Sequence, residues 1–281
     1  MYCGTTRGLA TYIGTLLKIS KPSLNILMLD AEYCHNIVVP YIAEDIDKVV
    51  LVSSPASVNC VYRVLQTVST MGLDTLMILP TTVASLIRGK MNISSEKLEI
   101  IEIESTIYRV TVLQTFLRIA LYIDGKHVAR IHRIEKELEL KNIVSELIEK
   151  YSHELSMYRD VKHVIVSKAL TIVGEELIDR GVQVAIINEH FGLQKIETPL
   201  FLIYTSVEEH IVNEFVSNLV RIGVERSNII HLRINVDPFT APIYSMIIMY
   251  YIMSSKDKVN DKLKAPEYRS TMNVTTPVVP G

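Results

Sequence analysis

The sequence predicts an α/β protein made of two doubly wound, flavodoxin-like parallel-sheet domains related by an internal repeat and joined by a helical linker. Three observations carry this. Short apolar runs alternate with helical patterns along most of the chain, as in strand–helix–strand units. The connections between them are short, which favours sequential crossovers of one hand. One unit also occurs twice: Ser54 to Gly72 spans 18 residues, and so does Thr205 to Gly223, an internal repeat that constrains the fold more than any single motif.

The clearest unit runs from Asp47 to Pro80. Val49, Val50, Leu51 and Val52 suit a strand buried on both faces. Ser54 followed by Pro55 has the grammar of a helix start, a hydroxyl N-cap with proline at the first helical position. Val58, Val61, Leu65 and Val68 recur at helical spacing, Gly72 stops the helix, and Leu76 to Leu79 form the next strand. Ser53, Ser54 and Ser57 therefore fall where a strand ends and a helix begins, a position whose free N–H groups and helix dipole attract phosphate or carboxylate. In the second copy Leu200 to Ile203 are the apolar run and Tyr204, Thr205 and Ser206 the polar cluster. Ile211, Phe215, Val216, Leu219 and Val220 are the helical face, and Gly223 closes it.

Before the first unit, residues 1–20 read as a lead-in helix ended by Lys21 and Pro22. Asn25 to Leu29 then reads as the first buried strand, Asp30 to Tyr33 as a polar turn and Ile37 to Ile42 as a short helix. After it come a short helix (Val83 to Ile87), a strand (Leu98 to Ile103), and Ser105 and Thr106 leading into a long amphipathic helix. From Ile134 to Tyr151 the sequence is dense in Glu and Lys with apolar residues at helical intervals, a charged helix suited to linking two halves. The second half opens with a strand (Val164 to Val166), a helix (Leu170 to Ile178) and a strand (Gln183 to Ile187). Val182 to Glu197 reads as an insertion, and inserted loops on a scaffold carry specialised chemistry. Ile229 to Ile234 is a strand, Ala241 to Met253 a buried helix, and Ser254 onward a surface tail. The expected domains are 1–133, a linker 134–157, 158–253, and the tail 254–281.

Composition bounds the function. At 281 residues with 48% apolar residues, two domains of ordinary size can be filled. A formal net charge of −2 gives no nucleic-acid footprint. Cys3, Cys34 and Cys60 have neither disulfide-framework nor zinc spacing and read as free buried thiols. The histidines lack metal-ligand spacing, so no metal or cofactor is expected. Walker, dinucleotide and nucleophile-elbow motifs are missing, against a nucleotide triphosphatase, a nicotinamide enzyme or a hydrolase. The first residues make a poor signal peptide, and the longest apolar stretch, Ile243 to Met253, is far short of a membrane span. The expectation is a soluble, cytoplasmic protein with no membrane partner.

At these junctions the chain resembles the sugar isomerase (SIS) domain proteins that carry two such domains, with the isomerase half of glucosamine-6-phosphate synthase as the type case. The family's phosphate-binding run Ser-Gln-Ser-Gly-Glu-Thr is matched by Ser54 and Ser57, with Ser53 in place of glutamine and Pro55 in place of glycine. Its Ala-Ser-Thr-Lys junction is matched by Ser105 and Thr106, followed by Ile107 instead of lysine. Its ring-opening histidine resembles His190, and its proton-shuttling glutamate resembles Glu175 or Glu176. The turn that is glycine-rich in the family is here Asp30 to Cys34, which has no glycine. Its C-terminal Asp-x-Asp-x-Pro pattern resembles Asp257, Asp261 and Pro266, with Lys262, Lys264 and Arg269 nearby in place of its lysine.

The resemblance implies a sugar-phosphate ligand held by Ser53, Ser54, Ser57, Ser105 and Thr106. It also implies an aldose–ketose isomerase or ketose-phosphate aminating enzyme working through an enediol, with His190 opening the ring and Glu175 or Glu176 as base. A homodimer exchanging Val182 to Glu197 is implied as well, and a separate glutaminase chain if amination occurs. The alternative is a non-catalytic sugar-phosphate-binding regulatory or structural protein.

Overall fold

A computed structural model describes residues 1–89, 96–123, 128–139, 143–158, 161–187 and 197–264. In the first half, β1 (Tyr2–Cys3) leads to α1 (Arg7–Ser20). There follow α2 (Ala31–Tyr33), a π-helical turn (Cys34–Val38) and α3 (Val39–Ile42), then β2 (Val49–Ser53), α4 (Val58–Thr70), β3 (Thr75–Pro80), α5 (Thr81–Arg88), β4 (Leu98–Ile103) and α6 (Tyr108–Ile123). Three shorter helices, α7 (Val128–Glu137), α8 (Ile143–Lys150) and α9 (Ser152–Met157), cover the predicted linker. The second half contains β5 (His163–Val166), α10 (Thr171–Asp179), β6 (Val184–Ile186), β7 (Leu200–Thr205), α11 (Glu209–Arg221), β8 (Ile229–Ile234) and α12 (Ala241–Lys264).

The strands form two parallel sheets, ordered β1-β2-β3-β4 and β6-β5-β7-β8. Asp30 adds a parallel bridge to Tyr2 on the side of β1 away from β2. In both sheets, therefore, the chain leaves its first strand in one direction and returns on the other side, the doubly wound pattern the sequence predicts. Gly72 and Gly223 end α4 and α11 at positive φ, 64° and 99°, as matching members of the repeat.

Both faces of each sheet are covered. Val49, Leu51, Met77 and Leu79 bury against α4 and α5 in an outer core. Ile165, Leu200, Leu202 and Tyr204 do the same under α11 in the second half. The opposite faces share one continuous core: Val52 and Ile78 of the first sheet join Val166, Phe201 and Ile203 of the second through α1, α6, α10 and α12. The start of α12 is fixed to α7. Arg130 reaches both carboxylate oxygens of Asp237 at 3.1 Å, and the Glu137 carboxylate accepts from the Asp237 N–H and the Thr240 hydroxyl.

Four expectations are corrected. The first strand is Tyr2–Cys3, before the lead-in helix, and 25–29 holds no strand; two residues are too few to show a period. The helix of the organising unit begins at Val58, because Pro55 sits inside a turn closed by the Ser57 N–H on the Ser54 carbonyl at 3.1 Å, where proline's fixed φ suits the second turn position. The last helix runs on to Lys264, past the predicted end at Met253. Cys3 and Cys60 are bonded to each other, with Cα atoms 6.0 Å apart, and Cys34 alone is a free buried thiol. No described helix is long and apolar enough to cross a membrane.

Candidate functional site

The crevice between β1 and β2 is the point where the strand order of the first sheet reverses, and open α/β sheets bind ligands outside the carboxyl ends of their strands at such points. β1 ends at Cys3 and β2 at Ser53, partners in register. The residues that follow form the two walls, Gly4 to Thr6 on one side and Ser54 to Ser57 on the other.

Gly4 has φ +68°, and a Cβ built on it would lie 2.1 Å from the Ser57 hydroxyl oxygen and 2.4 Å from that of Ser54. The left-handed backbone and the close approach both require glycine here. Ser54 and Ser57 hydrogen-bond each other through their hydroxyls at 2.7 Å, and neither side chain caps α4. The cap reading of this cluster is thereby removed: the two hydroxyls face the glycine turn. The Cys3–Cys60 bond ties the same turn to the first turn of α4. Ser53 lies inward, fully buried, its hydroxyl donating to the Ser54 carbonyl at 3.0 Å and its N–H to Tyr108 Oη at 3.3 Å. Tyr108 in turn donates to the Ile78 carbonyl, and burial holds its phenol neutral, with a pKa well above the ordinary range.

The second hydroxyl junction lies at the carboxyl ends of β3 and β4. Ser105 Oγ accepts from the Thr82 N–H at 3.2 Å and bonds the hydroxyls of Thr81 and Thr82 at 3.1 and 3.0 Å. Thr106 turns aside to donate to Glu104 at 2.9 Å.

Between this edge and the second half lies a buried ion network. Arg109 of α6, 1% exposed, donates to Glu176 and Asp179 of α10 at 2.6 Å each and to the Thr5 carbonyl at 2.7 Å. Thr5 Oγ1 donates to Asp179, and Arg180 joins Glu176 at 2.7 Å while reaching the Thr106 carbonyl at 3.1 Å. Burial works against the Arg109 charge, but the two carboxylates outweigh it and hold its pKa above the ordinary value.

The predicted catalytic residues divide. Glu176 is engaged by two guanidinium groups. Glu175 Oε1 accepts the Gly8 N–H in the first turn of α1 at 2.6 Å, while the buried Oε2 has no hydrogen-bond partner among the described residues. Burial raises the Glu175 carboxyl to about 7, against the lowering effect of that N–H. α10 approaches α1 so closely that a Cβ on Gly8 would meet the Ile172 nitrogen at 2.8 Å. His190 lies outside the described residues, as do Pro266 and Arg269.

Sequence reasoning missed Gly4, Thr5, Thr81, Thr82, Arg109 and Asp179. A signal for the first pair was available: Gly4, Thr5 and Thr6 stand before an amphipathic helix, the same grammar read at Ser54. The first half does have a glycine turn at a strand end, at Gly4 and not within Asp30 to Cys34.

No protein-family model and no curated protein sequence matches this chain. Its fold does match solved structures. The C-terminal domain of glucosamine-fructose-6-phosphate aminotransferase from Francisella tularensis superposes with TM-score 0.58 at 13% identity, covering 91% of this chain and 83% of that one. Glucosamine-6-phosphate deaminase from Thermotoga maritima gives 0.56 at 12% identity over 91% and 84%. A candidate phosphosugar isomerase from Salmonella typhimurium gives 0.59 at 12% identity over 92% and 86%. The chain has the two-domain SIS fold along nearly its whole length.

Proposed function

We propose that this chain binds a sugar phosphate in the β1/β2 crevice of its first half. The observation that supports this best is the pair of Ser54 and Ser57 hydroxyls, uncommitted to capping α4 and set against the glycine turn at Gly4. Paired hydroxyls at the end of a strand and before a helix suit a phosphate monoester. In this reading Ser105, with Thr81 and Thr82 at the next strand ends, would meet the sugar's hydroxyls, and the fold's neighbours include proteins named for aminosugar phosphates. Thermal-shift titration with fructose, glucose, mannose and glucosamine phosphates tests the reading; no stabilisation by any of them overturns it.

A second reading, an aldose–ketose isomerase, is favoured by Glu175, whose carboxyl titrates near 7, the range in which a general base can both take and return a proton. In it Glu175 carries a proton between C1 and C2 through the enediol, and His190 opens the ring. Glu176, committed to Arg109 and Arg180, is the weaker candidate. A coupled isomerase assay separates the readings: binding without turnover leaves a regulatory or structural binder. The isomerase reading carries with it a homodimer in which His190 serves the neighbouring subunit, and amination would add a separate glutaminase chain. Sedimentation at a single 31.8 kDa species would count against the dimer.

A further inference from the structure

The second sheet reverses its strand order between β5 and β7, so it has a crevice corresponding to that of β1 and β2. The correspondence can be followed residue by residue. Thr205 stands where Ser54 stands, and Glu208 where Ser57 stands, each three residues further on. Arg7, the start of α1, is four positions after Cys3, and Thr171, the start of α10, is four positions after Ser167. Gly4 and Thr5 therefore correspond to Lys168 and Ala169.

This second crevice contains a carboxylate of the chain itself. Glu208 Oε2 accepts from the Ser167 hydroxyl at 2.5 Å and the Thr205 hydroxyl at 2.7 Å, and Oε1 accepts from the Ala169 N–H at 2.9 Å. The Thr205 bond joins side chains three positions apart and is local; neither residue caps the helix that follows. The other two come from residues 41 and 39 positions away, across the crevice, and local geometry does not require them. One carboxylate thus draws two hydroxyls and a backbone N–H from both walls, the donor set that a bound oxyanion draws. Lys168, exposed in the same turn, adds positive charge where the first half has glycine.

We propose that the second half holds a small-oxyanion site of phosphate-monoester type that Glu208 keeps closed, so that the chain takes one fewer phosphate than its repeat provides for. The inference rests on the contacts of Glu208 and stands whether or not the first crevice binds.

The test is isothermal titration of the full chain with inorganic phosphate and with fructose 6-phosphate, comparing the parent with Glu208→Ser. The variant should bind one equivalent more than the parent, whatever number the parent binds. Its melting temperature should fall in phosphate-free buffer and recover as phosphate is added. Adding Ser54→Ala and Ser57→Ala to Glu208→Ser should leave that extra equivalent in place, which separates the two crevices. Glu209→Gln removes the same charge one residue on and should leave the stoichiometry unchanged. A folded Glu208→Ser with the parent's stoichiometry overturns the proposal, and so does an extra equivalent in Glu209→Gln. Should Glu208→Ser fail to fold, Glu208→Gln keeps the shape without the charge and should still admit the extra equivalent, more weakly; the parent's stoichiometry there overturns the proposal.

Discussion

Arg109 and Glu176 meet at 2.6 Å across the two halves of the chain, with side chains 1% and 9% exposed. Neither charge can return to water without opening the shared core, so each depends on the other. Breaking a buried pair by removing one partner costs roughly 3–5 kcal/mol. Arg109→Met should lower the urea unfolding free energy by about that amount. Adding Asp179→Asn should restore part of it, because Asp179 is the carboxylate that loses its guanidinium while Glu176 keeps Arg180. The single variant should also bind sugar phosphates more weakly, since Arg109 holds the Thr5 carbonyl at the crevice.

Ser54→Ala with Ser57→Ala should leave the protein folded, because neither hydroxyl caps α4. Charge-assisted hydrogen bonds contribute about 1.5–3 kcal/mol each, and each 1.4 kcal/mol is tenfold in affinity. The double variant should therefore lose about 100-fold or more in sugar-phosphate affinity by calorimetry. Unchanged affinity would place the ligand elsewhere.

Gly4→Ala should be worse than its size suggests. A Cβ at φ +68° meets the Ser57 oxygen at 2.1 Å, and the left-handed conformation costs a non-glycine residue about 1–2 kcal/mol. Binding should be abolished while the circular dichroism spectrum is kept, with the melting temperature lowered.

Glu175 gives stability a pH dependence of definite sign. Its folded pKa of about 7 lies above the ordinary 4.5, so between those values the folded state holds a proton that the unfolded state has lost. Stability from this group is full below about pH 4.5 and falls as pH rises through 7, by on the order of 3 kcal/mol. Glu175→Gln keeps an acceptor for the Gly8 N–H and removes the charge. Its unfolding free energy should exceed the parent's at pH 8 and match it at pH 4; equal values at both would show that the carboxyl titrates normally.

The Cys3–Cys60 bond closes a separation of 57 residues, worth about 4 kcal/mol in the chain-entropy account. Thiol titration of the denatured, unreduced protein should find one free group, Cys34, and three after reduction. Reduction should lower the melting temperature.

What the sequence revealed depended on length and repetition. β2, β3 and β7 are four-residue or longer runs buried on both faces, so composition alone marked them, and the paired glycines at 72 and 223 fixed the repeat. β1 is two residues long and could be found only through its partner in register. Ser54 and Ser57 were legible as hydroxyls at a strand end; that they bond each other and leave α4 uncapped was not, since either arrangement fits the same letters. Arg109 reads as one charge on an amphipathic helix, ordinarily a solvent-facing residue, and its burial depends on carboxylates 67 and 70 positions away. Glu208 is one acid among several near the start of α11, and its long-range partners are equally invisible in one dimension. The bond between Cys3 and Cys60 required knowing that β1 lies beside α4.

The inner faces of both sheets close on the same set of side chains, and this governs how the molecule comes apart. A fragment ending after α6 would carry Val112, Leu113, Phe116 and Leu117 on α6 with their opposite surface gone, and the remainder would expose Phe201, Ile203 and the apolar side of α12. Neither piece is a self-sufficient folding unit, although each holds a complete sheet. Heating should therefore produce a single calorimetric transition with equal van't Hoff and calorimetric enthalpies. Separately expressed halves should aggregate, and recover the native state only when refolded together in one vessel.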